Sequence, residues 1–123
     1  MSARGILATA GGLLALAVVL GAVGTHVMRA RLTPDQLAIY ETAVRYHFYH
    51  AIGLLGIGAV ALTWDSPWLR ASAWFMLLGI VLFSGALYLA SLGAPRAIQV
   101  LPPFGGLAWI VGWIVFAVAA WRR

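Results

Sequence analysis

Four long apolar runs, interrupted only by short clusters of charge, turn and capping residues, set the pattern of this chain. They cover residues 5–28, 46–64, 71–95 and 97–121. A hydrocarbon core of about 30 Å needs about 20 apolar residues of helix to cross it, so each run predicts a transmembrane helix. The breaks carry their own signals. Thr33-Pro34-Asp35-Gln36 joins a capping hydroxyl, a proline suited to the first helical position, an acid at the positive end of the dipole and a glutamine at capping-box spacing. Ser66-Pro67 repeats the first two of these between Trp64 and Trp68, whose rings favour the membrane interface. The predicted architecture is all-α. It is a single polytopic membrane domain over residues 1–123, with helices at about 5–28, 34–63, 67–92 and 103–121 and short loops.

Two boundaries admit alternatives. A second helix over residues 34–63 would be longer than the hydrocarbon requires. Either its first turns stand in the headgroups, or residues 34–46 bend to lie along the surface. Before the fourth helix, Leu101-Pro102-Pro103-Phe104-Gly105-Gly106 reads as a loop and a proline-started helix, or as the broken end of a half-helix of the kind transporters use. The opening Met1-Ser-Ala-Arg and apolar run have the outline of a signal peptide. The run is too long for one and no cleavage site precedes Arg29, so it is read as a retained first helix.

Composition supports the membrane reading. Hydrophobic residues make up 63% and charged residues 9%, against about a quarter charged in soluble domains. The net charge of +5 comes entirely from arginine among the bases. Those arginines sit at helix ends, where they meet phosphate headgroups, which argues against nucleic acid as a partner and for the lipid bilayer. With no cysteine, disulfides, thiolate chemistry and cysteine metal sites are excluded. Four spans place both termini on one side, with Arg4, Arg70, Arg122 and Arg123. Arg29, Arg31 and Arg96 lie opposite, joined by Arg45 if the start of the second helix counts. The comparison is four against three or four, and the termini are placed in the cytoplasm on it.

Candidate chemistry gathers in residues 40–51, YETAVRYHFYHA. At 100° per residue, Tyr40, Ala43, His47, His50 and Leu54 share one side of the second helix. Glu41 and Arg45, on another side, are four apart with the acid first, the favourable order for an ion pair. His47 and His50, joined by His26 from the end of the first helix, would make a three-imidazole metal site, or flank a haem or quinone beside Tyr40. Convergence requires the second helix to bend; in a straight hairpin His26 is too far from His50. The simpler reading has the histidines hydrogen-bonded to headgroups, water or backbone. Elsewhere Ala17, Gly21 and Thr25 form a small-residue stripe for helix packing, as do Gly105 and Gly106. Ser84, Tyr88 and Ser91 form a polar stripe suited to bonds between helices.

No catalytic set emerges from these residues. The expected function is a small packing or accessory subunit that associates with itself or with larger membrane complexes, without enzymatic activity or cofactor. The alternative is a ligand site at one membrane face lined by His26, His47, His50 and Tyr40, holding a metal, haem or quinone.

Four ordered motifs carry a resemblance over nearly the whole chain: Gly-Ala-Val-Gly-Thr-His at residues 21–26, Arg-Tyr-His-Phe-Tyr-His-Ala at 45–51, Leu-Phe-Ser-Gly-Ala-Leu-Tyr at 82–88, and Pro-Phe-Gly-Gly with a later Gly-Trp within 103–113. Together they resemble the YgdD-like family of small bacterial inner-membrane proteins, related to the mitochondrial transmembrane protein 256 group. The resemblance implies four helices, residence in an energy-transducing membrane and no established biochemical activity. It also implies that His26 and His50 occupy family histidine positions, whereas the position of His47 also carries glutamine. Here Thr25 stands where the family has alanine.

Overall fold

The computed structural model describes residues 1–123. It contains four helices long and apolar enough to cross a membrane and no strand. Helix α1 spans Ala3–Arg31, α2 Pro34–Thr63, α3 Pro67–Ser91 and α4 Arg96–Trp121. The all-α, four-span expectation therefore holds.

Their ends follow from the residues at them. Ser2 caps α1 by accepting from the Gly5 N–H at 3.0 Å. α1 also outruns its expected end at 28, because Leu32 and Thr33 alone complete the turn into α2. At the start of α2, Thr33 Oγ1 accepts from the Gln36 N–H and the Gln36 side chain accepts from the Thr33 N–H, the full capping box. α2 then continues unbroken to Thr63, so the bent alternative is not adopted. After α3, Gly93 takes φ 93°, a left-handed conformation that glycine adopts without a Cβ penalty. α4 begins earlier than expected, with a 3-10 turn over Arg96–Val100 that runs directly into α-helix at Leu101. Pro102 and Pro103 thus sit in the first α turn, where their missing N–H groups have no partner to lose. No half-helix is formed.

Neighbours in sequence pack antiparallel: α1 on α2, α2 on α3 and α3 on α4. Toward the terminal end of the bundle the core is hydrocarbon, with Ile6, Ala10, Leu54, Ile57, Leu69, Ala73 and Met76 buried. That end is closed by tryptophan and arginine. Arg122 lies over Trp68 and Arg123 over Trp64, while Arg70 is bonded to Asp65 at 2.7 Å. Toward the other end the interior is polar. The outer surface is largely apolar, with Val81, Leu62 and Trp74 exposed, as a lipid-facing surface requires.

α1 and α3 each contain a π-helical turn, at Gly24–Met28 and Ile80–Gly85. A π turn inserts one residue and rotates the face that follows it. Both turns lie beside the polar half of the interior.

Candidate functional site

The polar half is organised by α2. Tyr40, Ala43, His47, His50 and Leu54 are all buried, so the side predicted by helical spacing is the side that faces the bundle. From it, bonds run to both neighbouring helices. Tyr40 Oη donates to the Leu20 carbonyl of α1. Its ring fits there because Gly24 offers no side chain: a Cβ at that position would stand 2.6 Å from Tyr40 Cε1. Ser84 Oγ on α3 donates to the Ala43 carbonyl at 2.9 Å, and Tyr88 Oη meets His47 Nδ1 at 2.9 Å.

The two histidines of α2 part company. His47 engages Tyr88 of α3. His50 donates from Nδ1 to the Tyr46 carbonyl one turn back at 2.9 Å, and stacks on Trp109 of α4 with 3.6 Å between ring centroids and 3° between planes. Trp109 Nε1 in turn donates to the Met76 carbonyl at 3.1 Å, and Ser72 Oγ donates to the Gly112 carbonyl at 2.8 Å. These bonds tie α3 to α4 as Tyr40 and Ser84 tie α1, α2 and α3. A side-chain donor finds a backbone acceptor in the neighbouring helix, which satisfies it without water.

His26 stands apart. It is exposed in the π turn of α1. Gly24 packs on Tyr40 and Gly21 on Val44, so His26 is level with about residue 39 of α2. His50 is eleven residues further along, about 17 Å at 1.5 Å per residue. The expected three-histidine cluster is therefore not assembled, and no group of three His, Cys, Asp or Glu side chains is placed to hold a metal. The physical cause is the straight course of α2. Glu41 and Arg45 also fail to pair; the chain's salt bridge is Arg70–Asp65. Both are exposed and line a cleft of about 150 Å³ with Gly21, Gly24, Thr25, Tyr40 and Val44. An exposed pair gains little from closing against solvent and headgroups.

The packing stripes are partly redrawn. Ala17 is fully buried and Gly21 half-buried, but Thr25 is exposed and bonds back to the Gly21 carbonyl. Gly24, three residues on from Gly21, faces α2 instead and packs on Tyr40. In α4, Gly105 lies against the α3 backbone, with a Cβ there only 2.5 Å from the Phe83 nitrogen. Gly106 meets nothing within 4 Å. Ser84 and Tyr88 make bonds between helices as expected, whereas Ser91 bonds within α3 to the Tyr88 carbonyl. Trp109 was not singled out by the sequence reading. Its position midway between Arg96 and Arg122 was the available signal, because a tryptophan at mid-span is not at the interface.

Fold and interior define the class: a four-helix, multi-pass membrane protein whose buried polar side chains bind helix to helix. The model of the family described as "Protein of unknown function (DUF423)" matches residues 20–106, and the chain belongs to that family. It is 38% identical over 115 residues to the UPF0382 membrane protein YwdK of Bacillus subtilis, covering 85% of this chain and 86% of that one. To the UPF0382 inner membrane protein YgdD of Escherichia coli it is 33% identical over 105 residues, 85% and 80% of the two chains. A UPF0382 membrane protein of Staphylococcus epidermidis is 38% identical over 104 residues, with 85% and 84% covered. No solved structure matches.

Proposed function

We propose that the chain is an accessory subunit of the bacterial inner membrane that packs against a transmembrane helix of another chain. The observation that carries this reading is a wholly apolar groove of about 450 Å³ between α3 and α4. Phe75, Leu78 and Leu82 form one wall and Phe104, Leu107 and Val111 the other. A helix surface offers side chains at i, i+3, i+4 and i+7, the spacing of each wall, so the groove is shaped for ridges of another helix. Packing of that kind is what drives helix association in lipid. Two further facts support it. Buried Ser72, Ser84 and Trp109 are occupied in bonds that hold the bundle together. The E. coli relative carries "inner membrane protein" in its name.

A photo-crosslinking residue in place of Phe104, activated in cells, is expected to give adducts well above the 13.1 kDa chain. The same residue in place of Val19, on the exposed side of α1, serves as the control. Adducts at the dimer mass identify a second copy; larger adducts identify a different subunit. Adducts with lipid alone at both positions would overturn the proposal.

A further inference from the structure

The first turns of α2 carry two charges that the bundle leaves unused. Glu41 and Arg45 are exposed one turn apart, and neither side chain takes part in a salt bridge or hydrogen bond. Both line the cleft of about 150 Å³ between α1 and α2. The other polar side chains of that cleft are satisfied within the protein: Tyr40 Oη donates to the Leu20 carbonyl and Thr25 Oγ1 to the Gly21 carbonyl. The carboxylate and the guanidinium are therefore the two groups the cleft offers to a ligand.

Helix geometry sets their depth. The 30 residues of α2 measure about 45 Å, about 15 Å more than the hydrocarbon core needs. The far end of α2 is fixed by Trp64, an interface side chain, and by the turn at Asp65 and Ser66. The excess, about ten residues, therefore falls at the Pro34 end, which carries Asp35, Gln36 and Glu41. Hydrocarbon then begins near Ala43. Arg45 stands at that boundary, and its long side chain slants outward to the phosphates. Glu41, shorter and slanting the same way, starts about 6 Å further out along the axis. The cleft thus presents a cation at the level of the phosphates and an anion beyond it.

A glycerophospholipid has its groups in the same order, with the phosphate next to the glycerol and the terminal head group bonded beyond it. We infer that this cleft binds a phosphoethanolamine head group, with the Arg45 guanidinium on the phosphate and the Glu41 carboxylate accepting from the primary ammonium. A guanidinium fork matches two phosphate oxygens, and a primary ammonium has three N–H groups to give. A quaternary choline amine has none, and a glycerol head group carries no cation. Glu41 therefore selects among lipids whose phosphates Arg45 would hold alike. Arg29, Arg31 and Arg96 are exposed at the same end and attract any anionic head group, but none of them lines a cavity with an acid. The site is independent of the α3–α4 groove, which shares no residue with the cleft. Two sources supply this chemistry, phosphatidylethanolamine of the bilayer and soluble ethanolamine phosphate.

Native mass spectrometry of the full chain reads which lipid stays bound when it is released from micelles holding phosphatidylethanolamine, phosphatidylcholine and phosphatidylglycerol in equal amounts. Phosphatidylethanolamine adducts are expected in about fivefold excess over each of the others, the worth of one hydrogen bond to a charged group at an exposed site. Glu41→Gln removes the acceptor for the ammonium and should cancel the excess, with phosphatidylglycerol retention undiminished. Exchanging the pair, Glu41→Arg with Arg45→Glu, keeps the net charge and reverses the order of the charges, and should cancel it as well. Circular dichroism checks that the exchanged chain keeps its helical content; Glu41→Gln, at an exposed position, carries the test if it does not. Excess soluble ethanolamine phosphate separates the sources: adducts that persist assign the site to lipid, and adducts that it displaces assign it to the soluble compound. Equal retention of the three lipids, or an excess that survives Glu41→Gln, overturns the inference.

Discussion

At the residue scale, glycines show most clearly how sequence and structure divide the information. Gly105 and Gly106 are adjacent and were expected to act together in packing, yet only Gly105 touches α3. Its Cβ would meet the Phe83 nitrogen at 2.5 Å and the Gly79 carbonyl oxygen at 3.0 Å, both backbone atoms unable to turn aside. Gly105→Ala is expected to destabilise the bundle by about 1–3 kcal/mol, the range for overpacking. Gly106→Ala has open space and a better helix propensity, and should be neutral or stabilising by up to about 1 kcal/mol. Denaturant titration of the two variants in mixed micelles reads the difference. Equal effects would mean that helix propensity rather than the α3–α4 approach governs both sites. Nothing in the sequence separates these neighbours, because their difference lies in the crossing of two helices. The buried side of α2 was legible for the opposite reason: helical spacing alone places Tyr40, His47 and His50 together.

At the scale of elements, helix ends were readable and helix interiors were not. Thr33, Pro34, Gln36, Ser66 and Pro67 all act at the positions their chemistry suggests, since capping is decided within four residues. The π turns left no comparable mark. From Gly21 regular spacing allows either Gly24 or Thr25 to follow on the same face, and it is Gly24 that packs on α2. The turn and Tyr40 hold each other: the ring occupies the space above Gly24, and the hydroxyl is anchored on Leu20. Tyr40→Phe keeps the ring and is expected to cost about 1 kcal/mol, the worth of one buried hydrogen bond. Gly24→Ala forces the ring out and should cost more, with loss of the Tyr40–Tyr88 edge contact as well. Unfolding titrations of both variants check the order. A larger loss for Tyr40→Phe would show that the hydroxyl, not the close approach, sets the geometry of α1 on α2. The three-histidine site failed at this same scale. It required α2 to bend near residue 46, and nothing between Pro34 and Thr63 interrupts the helix.

On the scale of the whole molecule, the four spans fix the ends relative to one another, and the arginines choose which end faces the cytoplasm. Arg122 and Arg123 lie against Trp68 and Trp64, so the C-terminus shares an end with the α2–α3 connection and with Arg70. Arg4, near the N-terminus, adds to that end, while Arg29, Arg31 and Arg96 are exposed at the other. Arg45 belongs with the second group: a helical side chain slants toward its own N-terminus, which carries the guanidinium toward the α1–α2 connection. The count is then four against four, and positive residues flanking short loops decide orientation, so removal of two from one end is enough to tip it. A cytoplasmic placement of the termini therefore makes a sharp prediction. In right-side-out cells, a cysteine at Asp35 should react with a membrane-impermeant reagent, and one at Ser2 should not. Replacing Arg122 and Arg123 together with glutamine removes half of the terminal-end arginines and leaves the opposite end untouched, so the two labelling patterns should exchange. Unchanged labelling in that variant would mean that the C-terminal arginines serve only to anchor Trp64 and Trp68. Reaction of both cysteines from the same side would contradict the antiparallel α1–α2 pair itself, since a single crossing separates those two positions.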